Sequence, residues 1–425
     1  MSSVSPGQLL ARAGNRIFAG GAVRMLRGAA AHRSRRVPAA AEDDFMPTRH
    51  TIAAVLALPV ALALSPAAMQ GQRVPGDGDA GLDSIIHAAQ RETGAPAISV
   101  ALAEGGRIVY TRSFGTADIE NGVPATDSTV YRIASVSKPL TATAVLQLVA
   151  ARKLELDRSI RAYVPELPAA YDRVTLRDLL RHTGGVRHYR DDAEFVTTRH
   201  CDSLSQSLAI FAADPLEHAP GEKITYSSYG FVLLGLAVER ASGERYADYV
   251  RAHVLAPAGM RATRVDDLSI IPDRAHGYRR RSGTPANAPP LDTSCRIPAG
   301  GFVATSADLA RFAVALDTGA LLPAAWRREM TRSQLTPEII QRTLQGLNAP
   351  PGFQPPGLGF GWAVESDGSA AYHGGNQPGF TSVLYYVPAR HLAVAVMTNL
   401  EGGGDALTEL ARRLAAAYQG GAPGR

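Results

Sequence analysis

Ser135 and Lys138 stand three residues apart in the run Tyr131-Arg-Ile-Ala-Ser-Val-Ser-Lys-Pro139, and together they have the makings of a nucleophile with its base. At the start of a helix, positions i and i+3 share a face, so the hydroxyl and the amine enter one cleft while Ser137 points elsewhere. A serine hydroxyl is a weak nucleophile at neutral pH, and a partly desolvated lysine supplies either a base or a positive field. Taken alone, the same spacing fits an N-cap serine followed by a solvated lysine. The chemical reading therefore depends on partners elsewhere in the chain.

Three further segments are candidates. In Tyr226-Ser227-Ser228 a phenol and a hydroxyl lie two residues apart; a tyrosine beside a lysine cation loses its proton more readily, and Tyr226 can serve as general base on Ser135 and then as general acid to the leaving group. In His373-Gly374-Gly375-Asn376 the glycines allow close approach of backbone to a ligand. The amides of Asn376 and Ser135 can then form an oxyanion hole, and His373 offers a donor or a positive charge to a substrate carboxylate or carbonyl. Arg181-His182-Thr183-Gly184-Gly185, with Arg187-His188-Tyr189 beyond it, reads as a helix stop and a structural loop lining the cleft. Cys201 and Cys295 lack metal-type spacing and no His-Glu-x-x-His occurs, so neither a metal nor another cofactor is expected. The two cysteines form either one disulfide between distant loops, as in an exported protein, or two free thiols.

The elements that must position these groups alternate in type. Leu82–Thr93 has helical spacing and stops at Gly94, and Ala97–Ala103 and Arg107–Phe114 read as strands joined at Glu104-Gly105-Gly106. Leu140–Leu156 is strongly periodic and places Ser135 at a helix start. Thr175 to Asp178 and Thr305 to Asp308 read as helix starts, and Ser227–Ala241 as a helix closed by Gly243. Gly359–Glu365, Ala370–His373, Ser382–Val387 and Leu392–Thr398 suggest an antiparallel meander, and Asp405–Tyr418 a closing helix. The expected fold is α+β: one antiparallel sheet built from residues 95–135 and 355–400, flanked by helices, with a mostly helical insert at about 140–345. The cleft would lie between sheet and insert.

The motif order resembles the β-lactamase-related serine hydrolases of the class C and penicillin-binding-protein type. It runs Ser-x-x-Lys, His-Thr-Gly-Gly, Tyr-x-Ser after Pro-Gly-Glu, Ala-Gly-Gly-Phe-Val-Ala-Thr-Ser-Ala-Asp-Leu, then His-Gly-Gly. The resemblance covers roughly residues 80–420, and Gly185-Val-Arg-His-Tyr189 and Tyr226-Ser-Ser-Tyr-Gly230 are most similar to the serine β-lactamase-like subgroup. It implies Ser135 as acylated nucleophile, Lys138 and Tyr226 as the proton-handling pair, Ser228 as a substrate hydrogen-bonder, and His373 in place of the lysine of Lys-Thr-Gly. Two departures count against efficient β-lactam turnover: Ser228 replaces the asparagine of Tyr-x-Asn, and an ordinary histidine, largely neutral at pH 7, replaces a fixed cation. The missing Gly-x-Ser-x-Gly excludes an α/β-hydrolase elbow. The resulting expectation is an exported serine hydrolase acting on an ester, amide or peptide bond through Ser135. The alternatives are a working β-lactamase or D,D-peptidase, and a cell-wall or β-lactam binding protein without turnover.

Composition agrees with a globular enzyme. The 425 residues are 45% apolar and 20% charged, enough for a large core or two domains. The formal charge of +5 collects in residues 1–45, where Arg12, Arg16, Arg24, Arg27, Arg33, Arg35 and Arg36 face Glu42, Asp43 and Asp44. Without a basic stripe interleaved with aromatics, the expected partner is a small molecule or peptide and not nucleic acid. From Met46 a short basic stretch, the uncharged apolar run Thr51–Leu64 and Ser65-Pro66-Ala67 read as a secretory signal at 46–67, too short for a stable membrane span. On that reading residues 1–45 precede the true start, and a Gly/Asp-rich linker at 68–81 leads to the hydrolase domain at 82–420. The alternative is a genuine arginine-rich targeting extension, acidic-poor as far as residue 41.

Overall fold

The computed structural model describes residues 77–345 and 355–418, all within one unit; the arginine-rich segment, the signal-like run and most of the linker lie outside the described residues. The last linker residues are helical, because α1 runs Asp77–Thr93 and not from Leu82. Ser84 back-bonds to the Ala80 carbonyl at 2.9 Å, and Asp79 approaches Arg112 at 3.8 Å, contacts that override a loop-like composition. Strands β1 (Ala97–Glu104) and β2 (Arg107–Asp118) form a hairpin whose central Gly105 and Gly106 both have positive φ, 55° and 86°, as its tight turn requires. A short β3 (Val123–Pro124) follows.

The middle of the chain is largely helical: α2 (Ser137–Ala150), α3 (Leu176–Leu180), α4 (Ser228–Ser242) and α5 (Ser306–Asp317), with shorter turns between. Helix α2 stops six residues short of Leu156. Arg152 takes the left-handed conformation (φ 57°), while the amides of Arg152 and Lys153 bond back to Val149 and Leu148 at 3.0 and 2.9 Å. This is a Schellman stop without its usual glycine, so the sequence carried no stop signal. A small second sheet ties the insert to the segment before it. Tyr131–Arg132 pairs with Phe302–Ala304, and the Ile133 amide donates to Phe302 O at 3.0 Å.

The C-terminal strands are β4 (Gly357–Leu358), β5 (Ala363–Val364), β6 (Ala371–Gln377), β7 (Phe380–Val387) and β8 (Leu392–Thr398), followed by α6 (Gly404–Ala417). Of the expected run Gly359–Glu365 only Ala363–Val364 is strand, because a bend closed by Gly359 N donating to Trp362 O at 2.8 Å separates it from β4. The sheet order is β3-β2-β1-β8-β7-β6-β5-β4, with every neighbour antiparallel. N- and C-terminal segments meet where Ala101 of β1 lies opposite Ala395 of β8, as the α+β expectation required. Ile98, Val100 and Leu102 of β1 join Val394 and Val396 of β8 in the core under α1 and α6; Ala97, Ala101, Ala103, Ala393 and Ala395 face the other core. Small side chains on that second face let α5 lie close against the sheet. Helix α2 is apolar on every side and buried along most of its length, as such a helix must be. Among the described residues no helix is long and apolar enough to cross a membrane.

Candidate active site

Ser135 sits in a 3-10 turn, Ala134–Val136, immediately ahead of α2. Ala134 has φ 47°, a left-handed conformation costing roughly 1–2 kcal/mol for a residue with a Cβ. The turn is held in place by its neighbours: Ile133 O accepts from Val136 N at 3.1 Å and from Ser382 Oγ at 2.7 Å, and Ser137 Oγ donates to Ala134 O at 2.7 Å. Strand β6 lies against it so closely that a Cβ on Gly375 would meet Ile133 O at 2.3 Å. Only one of the two glycines is required for that approach, since a Cβ on Gly374 would meet nothing within 4 Å.

Lys138, in the first turn of α2, is fully buried. Its Nζ lies 3.0 Å from Ser135 Oγ, 3.3 Å from Ser228 Oγ and 2.8 Å from Ala299 O. It also stands 4.8 Å from the Tyr226 ring centre and 5.6 Å from that of Phe231. Burial, and then the charge of Arg296, push its pKa well below the ordinary lysine value. In the neutral amine, one N–H must go to Ala299 O and a second can serve Ser228 Oγ, which leaves the lone pair for the Ser135 hydroxyl proton.

Tyr226 reaches Ser135 through a side-chain hydrogen bond, and burial raises its pKa against the lowering effect of that bond. Burial without a counter-ion works against the charged form of each group, which favours a protonated phenol beside a neutral amine over the tyrosinate beside a lysine cation that the sequence also allowed.

Three histidines surround this pair. His373 gives its Nδ1 proton to Gly374 O at 2.7 Å, and burial, followed by the charge of Lys138, pushes its pKa down to about 3. It therefore presents an Nε2 acceptor in place of the donor or positive charge that the sequence allowed, and is neutral as an ordinary histidine largely is at pH 7. His182 and His188 go beyond the structural loop expected there: their Nδ1 atoms accept the backbone N–H groups of Ser227 at 3.1 Å and Ser228 at 3.2 Å. Two imidazoles thus cap amides at the start of α4 and fix the Tyr226-Ser227-Ser228 segment. The His182 ring also packs 4.4 Å from that of Tyr226. Burial lowers both pKa values, that of His188 to about 3.

Ser135, Lys138, Tyr226, Ser228 and His373 are thus brought together, whereas the Asn376 side chain turns away and accepts from Gly402 N at 2.7 Å. Its backbone belongs to the part of β6 beyond Tyr372, where β5 no longer pairs and the strand edge runs along the Ser135 turn. Gln377 Nε2 donates to Gly300 O at 2.7 Å and ties that edge to the Ala299 segment. Cys201 and Cys295 form a disulfide joining positions 94 residues apart, so the alternative left open by the sequence resolves to a bridge. The bridge anchors the turn leading to Arg296, which no motif singled out, and to Ala299, the first residue of the Ala-Gly-Gly-Phe motif.

Comparison with known proteins agrees with this geometry. A family profile described as Beta-lactamase matches residues 82–419. The chain belongs to that family. Human mitochondrial serine beta-lactamase-like protein LACTB is 29% identical to this β-lactamase-family chain over 301 residues, 55% of each protein; the chain spans about half the length of that relative. A penicillin-binding protein from Bacillus halodurans superposes with a TM-score of 0.66 at 26% identity, covering 77% of this chain and 98% of that one. A D-amino acid amidase from Ochrobactrum anthropi shares the fold at TM-score 0.67 and 24% identity, over 81% and 99% of the two chains. In this β-lactamase-family chain the positions of Ser228 and His373 carry a hydroxyl and an imidazole whose pKa is pushed down, and neither brings a fixed charge.

Proposed function

We propose that this protein is a serine hydrolase that forms an acyl-enzyme on Ser135 and hydrolyses an ester or amide bond. The carrying observation is the Lys138 amine, 3.0 Å from Ser135 Oγ and buried with no acid among the groups that shift it. Ser135 Oγ bonds to the substrate carbonyl carbon while its proton passes to Lys138 Nζ, and the carbonyl electron pair becomes an oxyanion facing the Ser135 and Asn376 amides. Collapse breaks the bond to the leaving group, which takes the Tyr226 proton; the phenolate recovers a proton from Lys138. Water then repeats the sequence, releasing the acid and restoring Ser135. The amidase relative supports amides as substrates, and neutral His373 and Ser228 weigh against β-lactams. A disulfide suits an oxidising compartment and supports export.

The test is labelling by a fluorophosphonate probe together with turnover of p-nitrophenyl esters, D- and L-aminoacyl amides and nitrocefin. Wild type should label and turn over an ester or amide, and Ser135→Ala should do neither while keeping its circular dichroism. Labelling that persists in Ser135→Ala refutes the assignment; a stable adduct without turnover makes the protein a binder.

A further inference from the structure

The side chain that the mechanism leaves unused is Arg296. It is 3% exposed and ends the turn Ser294–Arg296, directly before the Ile297–Gly300 helix that presents Ala299 O to Lys138. Its Nη2 donates to Phe195 O at 2.6 Å, but Nε and Nη1 are buried without an acceptor. The other strongly buried arginines of this region are treated differently. Arg132 pairs with Asp266 at 2.6 Å, and Arg187 pairs with Glu194 at 2.8 Å and Asp214 at 2.6 Å. Among the described residues Arg296 pairs with no carboxylate and instead faces two aromatic rings, Tyr189 at 4.9 Å and Phe195 at 5.7 Å. Rings ease the burial of a guanidinium but cannot accept its in-plane N–H bonds. A buried cation with unsatisfied donors is costly to keep, and an anion would offset that cost through both charge and acceptors.

Its place in the fold says which anion. Tyr189 adjoins His188, which accepts the Ser228 amide, and the charge of Arg296 is felt at both Lys138 and His188. The guanidinium therefore stands behind the same cleft wall as Ser135, in a site where His373 brings no charge.

We propose that Arg296 is the anion-recognition residue of this cleft, binding a carboxylate carried by the substrate. The proposal rests on the reading of Ser135 as nucleophile and narrows the substrate class to esters or amides bearing a carboxylate on the acyl or leaving group. Tyr189 and Phe195 cover the guanidinium, so the carboxylate reaches it as these rings shift. The disulfide at the adjacent Cys295 fixes the backbone from which it extends.

The experiment compares mono-p-nitrophenyl glutarate with p-nitrophenyl pentanoate, in which a methyl replaces the carboxylate. The readout is the ratio of kcat/KM for the two esters, which cancels any effect of Arg296 on Lys138 common to both. Wild type should favour the glutarate by about tenfold or more, the scale of a charge-assisted hydrogen bond. Arg296→Gln should bring the ratio near one through a rise in KM for glutarate, and Arg296→Lys should retain part of it. A wild-type ratio at or below one overturns the proposal without any variant, and so does an Arg296→Gln protein whose ratio is unchanged. In either case pentanoate turnover still stands as support for Ser135. Wild type that hydrolyses neither ester overturns the Ser135 reading and this one with it.

Discussion

Arg187 and Lys138 are two buried basic side chains, and the fold deals with them in opposite ways. Arg187 is enclosed by Glu194 and Asp214 and also donates to the carbonyls of His188 and Ile210 at 2.7 and 2.8 Å. Burial works against its charge, but the hydrogen bonds to the two carboxylates outweigh it and the pKa rises. Lys138 has hydroxyls, a carbonyl and aromatic rings around it, and its pKa falls. Burial beside two carboxylates thus keeps a structural cation, whereas deeper burial without an acid favours the neutral amine. The charge state belongs to the surroundings and not to the residue type.

The hardest test of that contrast is to keep the charge and remove the base. Lys138→Arg, permanently protonated, should lose about 10²-fold or more of kcat/KM on a p-nitrophenyl ester, as Lys138→Ala should, since general-base removal typically costs that much. Substantial activity in the arginine variant would mean that a positive field is enough and that the neutral amine is not the working form. The converse substitution, Arg187→Gln, leaves two carboxylates without their cation and should cost about 3 kcal/mol of unfolding free energy by urea titration. A loss under 1 kcal/mol would show that the arginine is no more structural than Lys138.

A smaller effect comes from the imidazoles. His188 and His373 have folded pKa values near 3 against an ordinary 6.5, so the unfolded chain binds more protons. The stability from their neutral forms is complete above about 6.5 and drains as pH falls toward 3. The urea midpoint should fall through this window, and His188→Gln, which keeps an acceptor for the Ser228 amide, should flatten the slope. An unchanged slope would remove His188 from the account.

What could be read from the chain follows the same division. Ser135, Lys138 and Tyr226 were legible because local spacing fixes them on helix starts, and the sheet was legible because its strands are short apolar runs between turn residues. Protonation states were not, since they depend on what is missing around a group: no motif records the lack of an acid near Lys138. His182 and His188 were seen as loop residues because their work is done through ring nitrogens accepting amides some forty residues away, |i−j| of 45 and 40. Arg296 had no signal beyond standing next to Cys295. The end of α2 was misplaced because an arginine, Arg152, fills a conformation usually given to glycine.

The Ser135 turn is pinned through the Ile133 carbonyl by Ser382, 249 positions downstream of Ile133, and is flanked by a strand edge synthesised almost as late. At about 5–20 residues per second, a ribosome needs roughly 10–50 s to bridge that interval. Throughout it the Ser135 turn exists as a peptide segment without a cleft. Long-range closure of this kind slows folding, and it also sets an order of events: the surroundings of Ser135 are complete only once the last strands are in place.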